Sequence, residues 1–237
     1  KNKKFNISTK IGNSSKGIKS FNYEDILNEL ENSIKRLNQI PNKLLLHNPR
    51  LDKDELKILL DKLKVRLEGI DIGISLPRFC KYDENILSEF PFIQHDHNIF
   101  YKELKSNILN NSYEIQSRSI FASGLLTSKF LKKINNNENF EFNDFDNRSS
   151  WYKPPRSNNI STILKLIQHF LKINFPKESI EEVAFKYVRD SNPDKIVIGF
   201  SDISQIDKVL TWQKKGPLSN DLNNFLKLVS EAEISSW

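Results

Sequence analysis

Short apolar segments with β-branched residues alternate along this chain with longer segments whose apolar residues recur at helical spacing. Few folds satisfy that alternation. A helix that covers each strand and returns the chain to a parallel neighbour builds an α/β protein around a parallel sheet. Strands are predicted at 5–9, 43–46 with His47 at the end, 70–74, 92–93, 113–120 and 195–198. Helices are predicted at 23–37, where Ile26, Leu27, Leu30, Ile34 and Leu37 share one stripe, and at 52–67, 84–90, 101–109, 161–173, 179–189, 203–212 and 218–232. Ser179 opens the helix at 179–189, with Glu182 three residues later completing a capping pattern.

Six strands in a βα series fall short of the eight that close a (β/α)8 barrel. As a barrel, the whole chain, 1–237, would be a single α/β-barrel domain whose N-terminal βαβα part is missing, and the expectation is that the natural start lies upstream of Lys1, since 237 residues hold no methionine. An open doubly wound sheet would need no such addition, but the glycine-rich phosphate turn of a dinucleotide-binding one is not in the sequence. Residues 132–159, rich in Asn, acidic residues and aromatics, read as one long loop.

Composition excludes several classes. One cysteine, Cys80, rules out a disulfide scaffold and fits a reducing compartment, and Cys80 has no Cys-x-x-Cys partner, so it reads as a loop residue. No apolar run approaches the roughly 20 residues that span a bilayer, and the opening Lys-Asn-Lys-Lys leads into no signal-peptide core. The expected location is cytoplasmic, with no membrane partner. The net charge is +6, but Lys and Arg are interleaved with Glu and Asp, as at 52–68, which describes a solvated surface rather than a nucleic-acid footprint. His95-Asp96-His97 has no third ligand at supporting spacing, so it reads as a pocket rim and not a metal site. Trp151-Tyr152-Lys153 is equally readable as a substrate lid or as aromatics packing in a loop.

Several ordered motifs carry a resemblance. Ile7-Ser8-Thr9-Lys10 closes the first strand; Ser33-Ile34-Lys35-Arg36-Leu37 precedes Leu45-Leu46-His47-Asn48-Pro49; Ile72-Gly73-Ile74-Ser75 and Ile93-Gln94 with Asn98 follow. Arg118-Ser119-Ile120-Phe121 runs into Gly124-Leu125-Leu126-Thr127, and Ile198-Gly199-Phe200-Ser201 precedes Gln205-Ile206. In this order, from Asn6 to about Leu210, the chain resembles an aldo/keto reductase entered at its third barrel strand, so that strands 3 to 8 are represented.

The resemblance implies an NAD(P)H-dependent oxidoreductase that reduces a carbonyl on a small or sugar-like substrate, with NADP, or else NAD, as cofactor. It implies catalytic roles for Lys10, whose ammonium would lower the pKa of a tyrosine proton donor, and for His47, which would hold and polarise the substrate oxygen. Both close strands, on the face where barrel enzymes assemble their active sites. Ser75 and Gln94 would hold the nicotinamide carboxamide and Arg118 would stack on the ring; Ser119, Phe121, Ser123 and Leu125 would run along the pyrophosphate, and Gly199, Phe200, Ser201 and Gln205 along the adenosine end. The sequence departs from the family pattern in three places. Leu76 stands where an Asn is common, Gln205 where an Arg often grips the 2′-phosphate, and Val209 where an Asn often reads the adenine. The family's tyrosine and its lysine-pairing aspartate would lie upstream of Lys1, and no Tyr in the chain can be assigned the acid role. The competing readings are a non-catalytic, cofactor-binding barrel acting as a sensor or scaffold, and a phosphate-binding barrel of another activity.

Overall fold

In every strand of the computed structural model, alternate residues face opposite sides of the sheet, and the two sides have different chemistry. The structure describes residues 5–13, 19–76, 82, 84–101, 113–136, 142, 146 and 148–234. Six strands, β1 (Ser8–Ile11), β2 (Lys43–His47), β3 (Asp71–Ser75), β4 (Phe92–Asp96), β5 (Glu114–Arg118) and β6 (Lys195–Ile196), lie in chain order in one sheet. β1 to β4 pair in parallel, with Thr9 opposite Leu44, Leu44 opposite Ile72, and Ile74 opposite Ile93. Contacts divide the chain into two compact units, 1–95 with 104–116 and 96–103 with 117–237.

In the first unit the apolar face of the sheet is built from Ile11, Leu44, Leu46, Ile72, Ile74, Ile93 and Ile115, all buried in one cluster. The helices α1 (Tyr23–Leu37) and α2 (Lys53–Arg66) supply its other half through Ile26, Leu30, Leu56, Leu59, Leu60 and Leu63. Both helices start where the chain has an oxygen to satisfy the first free N–H groups. Asn22 caps α1 from the amide of Glu24, and Asp52 with Glu55 forms a reciprocal capping box on α2. A one-turn helix, α3 (Glu84–Leu87), follows β3.

The second unit is mainly helical: α4 (Ser128–Asn135), the short α5 (Arg148–Trp151), α6 (Arg156–Asn174), α7 (Ile180–Arg189), α8 (Ile203–Gln213) and α9 (Asn220–Ile234). Its core joins Phe130, Leu131 and Ile134 to Leu164, Ile167 and Leu171, to Val183 and Ala184, and to Leu222 and Leu226. Ser179 caps α7 as expected, accepting from the amide of Glu182 at 3.1 Å. The Glu182 carboxylate takes a different place: buried at 3% exposure, it pairs with Lys186 at 3.0 Å and with Lys215 at 2.6 Å, while Lys186 also meets Glu178 at 2.9 Å.

That cluster yields a pH-dependent stability. Burial works against ionisation of Glu182, but hydrogen bonds from Lys215 and Lys186 outweigh it and hold the carboxyl below the usual glutamate range. A depressed folded-state pKa stabilises the fold at pH above the ordinary glutamate value, and that stabilisation is lost as pH falls through the folded value. Glu182→Gln leaves Lys186 with Glu178 and Lys215 with solvent, so it is expected to cost about 1–2 kcal/mol at neutral pH, with the gap from wild type narrowing in acid. Urea-unfolding midpoints at both pH values check this.

The structure shifts several expected boundaries. β1 begins at Ser8, not at residue 5, because its partner β2 begins only at Lys43, and Phe5 stays 75% exposed. β3 reaches Ser75 and β4 reaches Asp96, so both site residues expected there lie inside strands. The segment 132–159 differs at its edges: 132–135 finish α4, Arg148–Trp151 form a helical turn and α6 starts at Arg156. Pro155 immediately precedes that helix, where its missing N–H costs nothing. The helix expected at 101–109 and Cys80 lie outside the described residues, apart from Tyr101, which forms an isolated bridge with Asn98.

Candidate functional site

The face of the sheet opposite the leucine cluster is polar toward its C-terminal end. In the first unit, residues paired across parallel strands point to the same side, so register places side chains in rows. Lys10 pairs with Leu45 and Leu45 with Gly73; one row further along, His47 pairs with Ser75 and Ser75 with Gln94. Lys10, His47, Ser75 and Gln94 therefore share one face, with Lys10 one row below the other three. Lys10 is exposed on the edge strand, His47 is partly buried, and Ser75 and Gln94 are buried.

Below the row the face is filled. A Cβ on Gly73 would come within 2.3 Å of the Phe92 ring, so only glycine lets that ring lie flat across β3. Lys43 Nζ sits 4.5 Å from the centre of the same ring and pairs with Glu114 at 3.0 Å. Gln116 donates to Glu114 at 2.5 Å, and Gln94 Nε2 donates to Gln116 Oε1 at 3.1 Å. This chain of bonds fixes which end of the Gln94 amide points where. It leaves Gln94 Oε1 buried and without a hydrogen-bond partner among the described residues, and Ser75 Oγ beside it in register is in the same condition. Buried polar atoms without partners are rare and costly, and one explanation is a ligand that completes them.

In the second unit Arg118 ends β5 and its guanidinium pairs with Asp96 at 2.9 Å, both side chains largely buried. The charge expected over the nicotinamide is thus met by a carboxylate that the sequence reading had assigned to a pocket rim. Its neighbour His97 is 2% exposed, with Nδ1 3.1 Å from Ser117 Oγ and its ring edge-on to Tyr187. Among the described residues no group of three or more His, Cys, Asp or Glu could hold a metal.

After β5 the backbone turns through left-handed positions at Ser119, Ala122, Ser123 and Gly124. Left-handed non-glycine residues are strained and cluster at functional sites. Asn98 Nδ2 holds the Ser119 carbonyl at 2.9 Å, and Arg148, itself clamped by Asp146, holds the Ser123 carbonyl at 3.0 Å. The Leu125 side chain is core, at 1% exposure, while Phe121 is partly buried and Ser123 exposed. In the loop after β6, Gly199, Phe200 and Ser201 are exposed, and Gln205 turns back on Ser201, accepting from its amide at 2.9 Å and donating to its hydroxyl at 3.1 Å.

Tyr152, expected either as lid or as packing, is packing: it is 7% exposed, edge-on to Phe130 and Phe142, and bonded to Ser161 Oγ at 3.1 Å. Burial raises its phenol pKa, with the Ser161 hydrogen bond opposing, which suits a structural hydroxyl. Tyr23 and Tyr187 lie in helices, as expected. Gln116, Glu114 and Lys43 were missed as parts of this face. For Glu114 and Gln116 the signal was present as period-two polarity in Glu-Ile-Gln-Ser-Arg, where every second residue leaves the apolar side; Lys43 stands in Lys-Leu-Leu-Leu-His, where no such polarity marks it.

The structure is similar to a glycerol dehydrogenase from Gluconobacter oxydans, with 18% identity, 99% of this chain and 74% of that one covered, and a TM-score of 0.71. It is similar to an aldo-keto reductase from Bacillus halodurans in its holo form, at 19% identity, 94% and 72% coverage and a TM-score of 0.65. An aldo-keto reductase from Klebsiella pneumoniae in complex with NADP and acetate aligns at 12% identity, 95% and 70% coverage and a TM-score of 0.57. At these identities the likeness shows the fold, an α/β arrangement of the (β/α)8 type. No curated protein sequence matches the chain. The family model for the aldo/keto reductase family matches residues 1–227, nearly the whole length. The chain therefore belongs to the aldo/keto reductase family.

Proposed function

We propose that the protein reduces the carbonyl of a small or sugar-like substrate, or oxidises the corresponding alcohol, using NADP or NAD. The observation that carries this reading is the pair Ser75 Oγ and Gln94 Oε1, buried, adjacent in register and unpartnered. A carboxamide offers N–H donors to Gln94 Oε1 and a carbonyl to the Ser75 hydroxyl, so the two atoms match the amide of a nicotinamide group for group. When bound, that cofactor supplies or accepts the hydride.

The chain's own residues do the rest. Gln116 and Glu114 hold the Gln94 amide in one orientation, and with Ser75 it decides which ring face is presented. His47, in the same row at the end of β2, orients the substrate oxygen and donates to it as negative charge grows there. Lys10 places an ammonium one row below, where it favours the ionised form of a phenolic proton donor. Arg118, paired with Asp96, offers a planar group to stack on the ring, and the turn that is left-handed at Ser119 and Ser123 offers the backbone amides of Ser119, Phe121 and Ser123 to the pyrophosphate, while the Leu125 amide is bonded to the Ala122 carbonyl and Leu125 contributes only packing. Gly199, Phe200, Ser201 and Gln205 serve the adenosine end. The test is loss of reduced-nicotinamide absorbance on adding short aldehydes and aldoses to the full-length protein. Aldehyde-dependent oxidation is expected; a flat trace across the panel with both cofactors would contradict the reading.

A further inference from the structure

Just beyond β2 the chain turns through Asn48, at φ 54, to Arg50, and a cavity of about 620 Å³ opens in the first unit, lined among the described residues by Lys19, Phe21, Asn22, Arg50 and Leu51. Two of those groups are cations. Lys19 Nζ donates to the carbonyl of Asn48 at 3.2 Å, which ties it to the residue after His47. No carboxylate among the described residues pairs with Lys19 or Arg50. The acids nearest in sequence are engaged elsewhere or point to solvent: Asp25 accepts from Ser20 Oγ at 2.5 Å, Asp52 caps α2 from the Glu55 amide at 2.9 Å, and Glu24 is exposed. Asn22 caps α1, so the positive end of that helix dipole also meets the cavity wall. Burial and the neighbouring Arg50 depress the Lys19 pKa, as expected of two cations brought together without a counter-charge.

We propose that this cavity is an anion subsite that takes the carboxylate or phosphate of the carbonyl substrate, selecting anionic over neutral carbonyl compounds. Arg50 offers a planar fork of N–H donors and Lys19 a point charge, while Phe21 and Leu51 supply apolar walls. The selectivity rests on the function proposed above; the anion site itself does not.

The test has a binding arm and a turnover arm. Inorganic phosphate is titrated calorimetrically into the full chain and into the double variant Lys19→Gln, Arg50→Gln. Saturable binding weakened about tenfold or more in the double variant, and retained in Lys19→Arg, is the expected result. Equal binding in wild type and double variant, or none in wild type, overturns the proposal. The turnover arm uses matched pairs, glyceraldehyde against glyceraldehyde 3-phosphate, and butyraldehyde against succinic semialdehyde, which separates phosphate from carboxylate recognition. The double variant should raise KM for the charged member of at least one pair about tenfold to a hundredfold and leave the neutral members unchanged. Equal effects on charged and neutral members would overturn the selectivity. If no carbonyl is reduced but phosphate binding still needs the two cations, the anion site stands and the reductase reading falls.

Discussion

Replacing His47 with alanine is expected to lower carbonyl turnover about a hundredfold or more, while the dissociation constant of the nicotinamide cofactor stays essentially unchanged. The expectation follows from position. His47 is the last residue of β2, it shares a row with Ser75 and Gln94, and it alone of the three is partly open to solvent, so it is the donor a substrate oxygen can reach. Removing one preorganised donor to a developing oxyanion deletes a stabilisation present mainly in the transition state, which lowers kcat rather than raising KM. His47→Asn, which keeps a side-chain donor, should recover part of the loss. A cofactor affinity that falls as far as turnover would instead place His47 in the cofactor pocket.

The double substitution Ser75→Ala, Gln94→Leu should weaken cofactor binding about tenfold to several hundredfold. Its distinguishing mark is stability. Ser75 Oγ is buried without a partner among the described residues, so deleting it removes a desolvation cost, whereas Gln94→Leu also breaks the bond to Gln116. Ser75→Ala alone should therefore leave the unfolding midpoint unchanged or raise it, even as cofactor affinity drops. Function held at the expense of stability is the signature of a binding site, whereas a purely structural serine would lose stability on truncation. Thermal unfolding and cofactor titration on the same sample decide between the two.

Much of this architecture was legible because a βα series writes its period into the sequence. Leu44 and Leu46, Ile72 and Ile74 alternate with residues that leave the apolar side, and the stripe of Ile26 and Leu30 could only cover them. Other features depend on partners far along the chain. Lys43 meets Glu114 across 71 residues, and nothing local to either reveals the pair. Asp96 looked like part of a possible ligand triplet until β4 and β5 set it beside Arg118. Helix α4 was missed because it begins just after the segment read through its resemblance, which ends at Thr127, and runs into 132–159, read as one loop, although Thr127 is an evident cap, accepting from the Phe130 amide at 3.3 Å. Glu182 was read correctly as a capping-pattern residue in position, but its carboxylate answers to Lys186 and to Lys215, which only the fold brings near.

The central claim, that the polar row on β2, β3 and β4 is completed by a nicotinamide, is tested most directly by titrating the protein into reduced NADP and reduced NAD while following nicotinamide fluorescence. A saturable change with at least one of them, lost or shifted to much higher concentration in Ser75→Ala, Gln94→Leu, is the predicted result; no saturable change with either cofactor up to millimolar protein and ligand would contradict it.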